Sequence, residues 1–141
     1  MEEARILAID YGEKRIGIAI TDPLNLFAYP LTTINNDSGF MNNLKALLDQ
    51  YKVVKILIGN PVKEDGSEAR IFNQIINLKN EIETKFNIPI EIVDERYSSE
   101  IARQRIIESV KSKKKRRDKS LVDKNAAAVI LEDYLRSNPK I

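Results

Sequence analysis

Two near-continuous apolar runs, Val-Val-Lys-Ile-Leu-Ile-Gly from Val53 and Ile-Pro-Ile-Glu-Ile-Val from Ile88, limit the folds open to this chain more than any other feature. Strands this apolar need cover on both faces, as parallel strands with crossover helices have. What precedes them differs in kind. Arg5 to Ile9, Arg15 to Thr21 and Ala28 to Ile34 read as three strands with short connections, the second alternating Ile16, Ile18 and Ile20 with smaller residues. Short connections imply an antiparallel meander. Tyr11-Gly12-Glu13-Lys14 is the first turn, and Asp22-Pro23 breaks the chain after the second strand. A helix is predicted from about Asp37 to Gln50, with Phe40, Leu44, Leu47 and Leu48 on one face and Asp37 or Ser38 as N-cap. Alternation follows: a fourth strand Val53 to Ile58, a helix Ser67 to Phe86, a fifth strand Ile88 to Val93, and a helix Ser98 to Val110. The final helix runs from near Ser120 to about Arg136, where Asn138-Pro139 stops it. The expectation is an α/β fold in one domain, 1–141. Its mixed five-stranded sheet has three antiparallel strands, then two parallel ones, with helices on the faces.

Residue types that are missing narrow the chemistry. The 141 residues include no cysteine and no histidine. Disulfides, thiolate metal sites, a Ser-His-Asp triad and histidine-ligated zinc are therefore excluded, and acid–base or metal chemistry must rest on Asp, Glu, Lys or Tyr. Carboxylates are hard oxygen ligands, so a metal here would be magnesium or manganese. No apolar run approaches the ~20 residues of a membrane span, and Met1-Glu-Glu-Ala-Arg lacks the design of a signal peptide, so a cytoplasmic protein without membrane contact is expected.

Three acidic positions could supply such chemistry. Asp10 follows Ile6-Leu-Ala-Ile9 and precedes Tyr11-Gly12, so it would project from a rigid strand at the sheet rim, although a turn aspartate is the commoner case. Asp94-Glu95 ends the fifth strand in the same way. If that strand runs parallel to the first, both acidic ends share one edge; a solvated loop start paired with Arg96 is the plainer alternative. Helical spacing sets Asp123 on the face of Ala127, Ile130 and Tyr134, opposite Asn125, Glu132 and Arg136. One plain reason is a capping-box-like pattern with Ser120 as N-cap. The other is that this first turn reaches the rim, where small Ala126 and Ala127 allow close approach. Converging carboxylates repel one another unless a cation intervenes. In two-metal sites the ions sit about 4 Å apart and stabilise the attacking and leaving oxygens of an in-line phosphoryl displacement.

Charge is unevenly spread. The formal net charge is +2, yet Lys111 to Lys119 holds seven basic residues and one acid, leaving 16 basic against 20 acidic residues elsewhere. Lys113, Lys114, Lys115, Arg116 and Arg117 form its centre, in a predicted loop just before Asp123. A charge run is usually just solvated, but this position favours contact with nucleic acid, where each neutralised phosphate releases counterions. Arg15, beside Asp10, could steady a carboxylate, touch a phosphate or form an ordinary surface ion pair. Gly59-Asn60-Pro61 and Asp65-Gly66-Ser67 could cradle a phosphate, though simple turn chemistry is the better explanation for this segment alone.

The motifs Ile9-Asp10-Tyr11-Gly12, Lys14-Arg15-Ile16-Gly17-Ile18-Ala19, Ile58-Gly59-Asn60-Pro61 with Asp65-Gly66, Val93-Asp94-Glu95-Arg96 and Val122-Asp123-Lys124-Asn125-Ala126-Ala127, in this order, resemble the YqgF family, also called RuvX. The resemblance spans nearly the whole chain. It implies an RNase H-like fold and a magnesium- or manganese-dependent endonuclease with two ions. The family's acids then fall on Asp10, Glu95 and Asp123, with Asp94 as an alternative ligand to Glu95. Tyr97-Ser98-Ser99 departs from the Leu-Thr-Thr or Leu-Ser-Thr expected after Asp-Glu-Arg.

Family members are described as Holliday junction resolvases or as nucleases maturing the 5′ end of pre-16S ribosomal RNA. The expected partner is structured RNA or branched DNA, and the resolvase alternative implies a homodimer able to make paired cuts. Two readings of other classes stand beside these. A silent RNA-binding assembly factor would use the basic run alone. An actin-like ATPase or sugar kinase would need two such domains around a nucleotide, more than 141 residues supply.

Overall fold

A computed structural model of the chain describes residues 4–61, 68–95 and 119–137. Five strands are present: β1 (Arg5–Asp10), β2 (Arg15–Thr21), β3 (Ala28–Asn35), β4 (Val53–Pro61) and β5 (Ile90–Glu95). They lie side by side in the order β3-β2-β1-β4-β5. The expected mixed sheet is found: β1 with β2 and β2 with β3 pair antiparallel, and β1 with β4 and β4 with β5 pair parallel. Consequently β1, β4 and β5 end on one edge.

Side-chain alternation divides the core in two. Leu7 and Ile9 of β1, Ile16 and Ile18 of β2, and Ile56 and Ile58 of β4 face helices α1 (Phe40–Gln50) and α2 (Glu68–Phe86), meeting Phe40, Leu44, Ile75 and Ile82. Each such aliphatic side chain contributes roughly 1.5–3 kcal/mol when fully buried. The opposite face is built of small residues. Ala8, Ala19 and Leu57 pack there against Ala127, Ala128 and Leu131 of helix α3 (Lys119–Ser137).

Helix boundaries follow local chemistry and correct three expectations. The N-cap of α1 is Gly39, without a side-chain cap bond; the Asp37 carboxylate accepts instead from the Gly39 N–H at 2.9 Å, closing the turn one step earlier. Helix α2 presents Ile71, Ile75, Leu78, Ile82 and Phe86 to the core and ends at Phe86, after which Asn87, with φ of 55°, turns the chain through the left-handed region. Lys119 is already helical in α3, so Ser120 lies inside the helix and does not cap it. Asp123 therefore sits in the second turn, and the capping-box explanation falls. Nor is α3 one-sided. Ala126 to Leu131 are six consecutive buried residues, so its middle is buried all round.

The parallel strands also run further than their apolar runs. β4 extends to Pro61 and β5 to Glu95, because the pairing register continues through Gly59 with Val93, Asn60 with Asp94 and Pro61 with Glu95. β5 begins only at Ile90, as Ile88 and Pro89 precede the ladder, where the Pro89 carbonyl accepts from the Ile56 N–H. The predicted helix Ser98 to Val110 lies outside the described residues. No helix among the described residues is long and apolar enough to cross a membrane.

Candidate active site

The rim where β1, β4 and β5 end carries Asp10, the last residue of β1 and partly buried. Across the antiparallel ladder its partner is Gly17, and across the parallel ladder it is Gly59. With glycine on both neighbouring strands, no cross-strand side chain stands beside the aspartate.

Gly17 decides what comes next to Asp10. A β-carbon at this position would lie 2.0 Å from the carbonyl oxygen of Asp123 and 2.9 Å from the Lys124 nitrogen, so the backbone of α3 rests directly on the strand. Asp123 is thereby held over the residue paired with Asp10. Small neighbours extend the same close approach along the helix, Ala8 and Ala19 meeting Ala127 and Ala128. The expectation that small residues let α3 approach the rim holds, with Gly17 making the closest contact.

Arg15 completes the described site. It shares β2 and its pleat with Gly17 and Ala19, and its Nε donates to Asp123 Oδ2 at 3.0 Å. The side chains of Arg15 and Asp123 are 33% and 23% exposed, so the pair faces partly into water.

The loop behind Asp10 is tied on two sides. Asn36 Nδ2 donates to the Gly12 carbonyl at 2.8 Å, and the Asn36 N–H donates to the Lys14 carbonyl. From the other side, the Tyr11 hydroxyl donates to Gln74 Oε1 at 3.2 Å and Arg70 pairs with Glu13 at 2.9 Å. Gly12 itself is obligatory, since a β-carbon there would sit 2.3 Å from the Arg15 carbonyl. The motif Asp10-Tyr11-Gly12 points to this loop; nothing in the sequence links it to Asn36 or Gln74.

Among the described residues the Asp123 backbone lies over the cross-strand partner of Asp10, and no group of three potential ligands converges. Asp94 and Glu95 are backbone members of β5 at the same rim, but their side chains lie outside the described ones, as do Asp65 to Ser67 and the basic residues Lys113, Lys114, Lys115, Arg116 and Arg117. Asn60 belongs to the pleat of Ile56 and Ile58, on the α2 side. Its Oδ1 is buried and accepts no hydrogen bond from the described residues.

Known proteins match this arrangement along almost its whole length. The sequence model of the RuvX family, described as Holliday junction resolvase, matches residues 4–137. The chain belongs to the RuvX family. RuvX relatives include a protein of Phocaeicola vulgatus, 37% identical over 139 residues, spanning 98% of this chain and 99% of the relative. One of Flavobacterium psychrophilum is 42% identical over 132 residues, spanning 93% and 96%. Both carry the name "Putative pre-16S rRNA nuclease". Family membership thus identifies the chain as a hydrolase of the nuclease type. Among solved structures, RuvC of T. thermophilus in complex with a Holliday junction substrate is similar with a TM-score of 0.59 at 11% identity, over 96% of both chains. The Fowlpox virus resolvase, in complex with Holliday junction DNA, gives 0.55 at 15% identity, over 96% of this chain and 99% of that one. Likeness at such low identity speaks for the fold, and the RNase H-like architecture implied by the RuvX resemblance is the one found.

Proposed function

We propose that this RuvX-family chain is a divalent-metal-dependent endonuclease that uses Asp10, Glu95 and Asp123 to cut structured RNA, with the 5′ end of pre-16S ribosomal RNA as its substrate. The observation that carries the reading is the Gly17 contact, which seats Asp123 over the cross-strand partner of Asp10 at the rim where three parallel strands end. The donor set suits magnesium or manganese: carboxylate oxygens, rigidly mounted, in a chain without histidine or cysteine. Bound there, the ions would supply Lewis-acid stabilisation of the charge that develops on phosphate oxygens.

The chain's own residues supply the rest. The RuvX motif Val93-Asp94-Glu95-Arg96 favours Glu95 over Asp94 as the third ligand. Asp10 and Asp123 are held by strand and helix rather than by loops, so their oxygens need little ordering when a phosphate arrives. Lys113, Lys114, Lys115, Arg116 and Arg117 engage phosphates along the substrate and add affinity without sequence preference. The ribosomal substrate is supported by the names of relatives 37% and 42% identical to this chain.

A cleavage assay in manganese, on a pre-16S RNA 5′ leader and on a four-way DNA junction, tests the reading. Cleavage of the RNA, abolished in Asp10→Asn, is expected. Junction cleavage with the RNA untouched would transfer the assignment to a resolvase. Equal cleavage by wild type and variant would remove the mechanism.

A further inference from the structure

A divalent cation held by Asp123 would compete with Arg15 for the same oxygen. The guanidinium donates to Asp123 Oδ2 from the first position of β2, and the ion pair is partly open to water. An ion pair this exposed changes an equilibrium constant by at most about fivefold, so it is readily opened. Because Arg15 is mounted on a strand, its charge stays in the site after the pair opens. A guanidinium released there has its planar N–H fork available, and that fork matches a phosphate in bidentate fashion.

We propose that Arg15 is an exchangeable counter-cation: it neutralises Asp123 before the divalent ion binds, yields that oxygen to the ion, and then donates to a phosphate of the nucleic acid. The inference rests on the reading of Asp123 as a metal ligand. It assigns Arg15 a positioning role in which metal loading and substrate capture are coupled. It also gives a reason for an arginine at this point, where a simple strut between β2 and α3 would need no exposure to water.

Manganese titration calorimetry on Arg15→Gln and on Lys14→Gln separates exchange from the general effect of removing one positive charge. Arg15→Gln is expected to bind manganese roughly two- to fivefold more tightly than wild type, and Lys14→Gln to match wild type. Fluorescence anisotropy with a labelled RNA hairpin bearing a 5′ overhang supplies the second readout. Arg15→Gln should weaken RNA binding roughly threefold or more in calcium, an ion that takes oxygen ligands, and little in a chelator. A strut would behave in the opposite way, Arg15→Gln binding manganese more weakly, and that result overturns the proposal. Equal tightening in Lys14→Gln, or an RNA defect of the same size in the chelator, also overturns it. Absence of manganese uptake by the wild type would instead defeat the metal-site reading itself. Arg15→Lys, which keeps the charge, should lie between wild type and Arg15→Gln in both assays.

Discussion

At the scale of single residues, the most demanding position is Gly17. A methyl group there meets backbone at 2.0 Å, and backbone cannot swing aside as a side-chain end can. Gly17→Ala should therefore lift α3 from β2, lowering stability by roughly 2–3 kcal/mol in urea denaturation. It should also weaken manganese binding by roughly tenfold or more, because Asp123 moves with the helix. Unchanged stability would show that the helix does not rest on the strand. The role of Gly17 is half legible in the sequence. Small residues between Ile16, Ile18 and Ile20 mark a face able to take close contact, but not which element approaches it. The rim position of Asp10 is legible because Tyr11-Gly12 follows an apolar strand, whereas its chemistry is not, since a turn aspartate gives the same local pattern. The pairing of Arg15 with Asp123 is not, since the partners are 108 positions apart and no local pattern joins them.

Elements show a similar division. Strand direction follows from the apolar runs, because only covered parallel strands tolerate so few polar residues, but the place of β4 beside β1 does not. Strand ends do not follow, since the ladder of β4 and β5 carries polar Asn60 and Asp94 beyond the apolar stretch. α3 differs in another way: its apolar positions suggest one stripe, whereas Ala126 to Leu131 are buried all round. The β2–β3 hairpin offers a test at this scale. The Asp22 carboxylate accepts from the backbone N–H groups of Leu24, Leu26 and Phe27 at 3.1, 2.8 and 2.6 Å. Slight burial pushes its pKa up, but these hydrogen bonds outweigh that effect and hold it below the ordinary 3.8. A depressed carboxylate stabilises the folded state above its unfolded pKa, and that contribution disappears as pH falls through the folded value. The stability gap between wild type and Asp22→Asn should thus be full at neutral pH and close below about pH 4. A gap independent of pH in thermal melts would contradict this. Asp22→Ala should lower stability by about 1 kcal/mol.

For the molecule as a whole, the balance of charge sets how substrate is met. Outside Lys111 to Lys119 the chain is net acidic, so attraction to a polyanion must be concentrated in that run. Replacing Lys113 to Arg117 by glutamine should weaken RNA binding and leave manganese uptake unchanged. It should also flatten the dependence of RNA affinity on salt, by roughly one power of salt concentration for each phosphate no longer neutralised. A salt slope equal to that of the wild type would place the nucleic acid elsewhere. The central claim, however, concerns the carboxylates, and calorimetric titration with manganese tests it most directly. Wild-type protein should take up the ion, and Asp10→Asn and Asp123→Asn should each abolish that uptake while retaining the wild-type circular dichroism spectrum. Undiminished uptake in both folded variants would contradict the account.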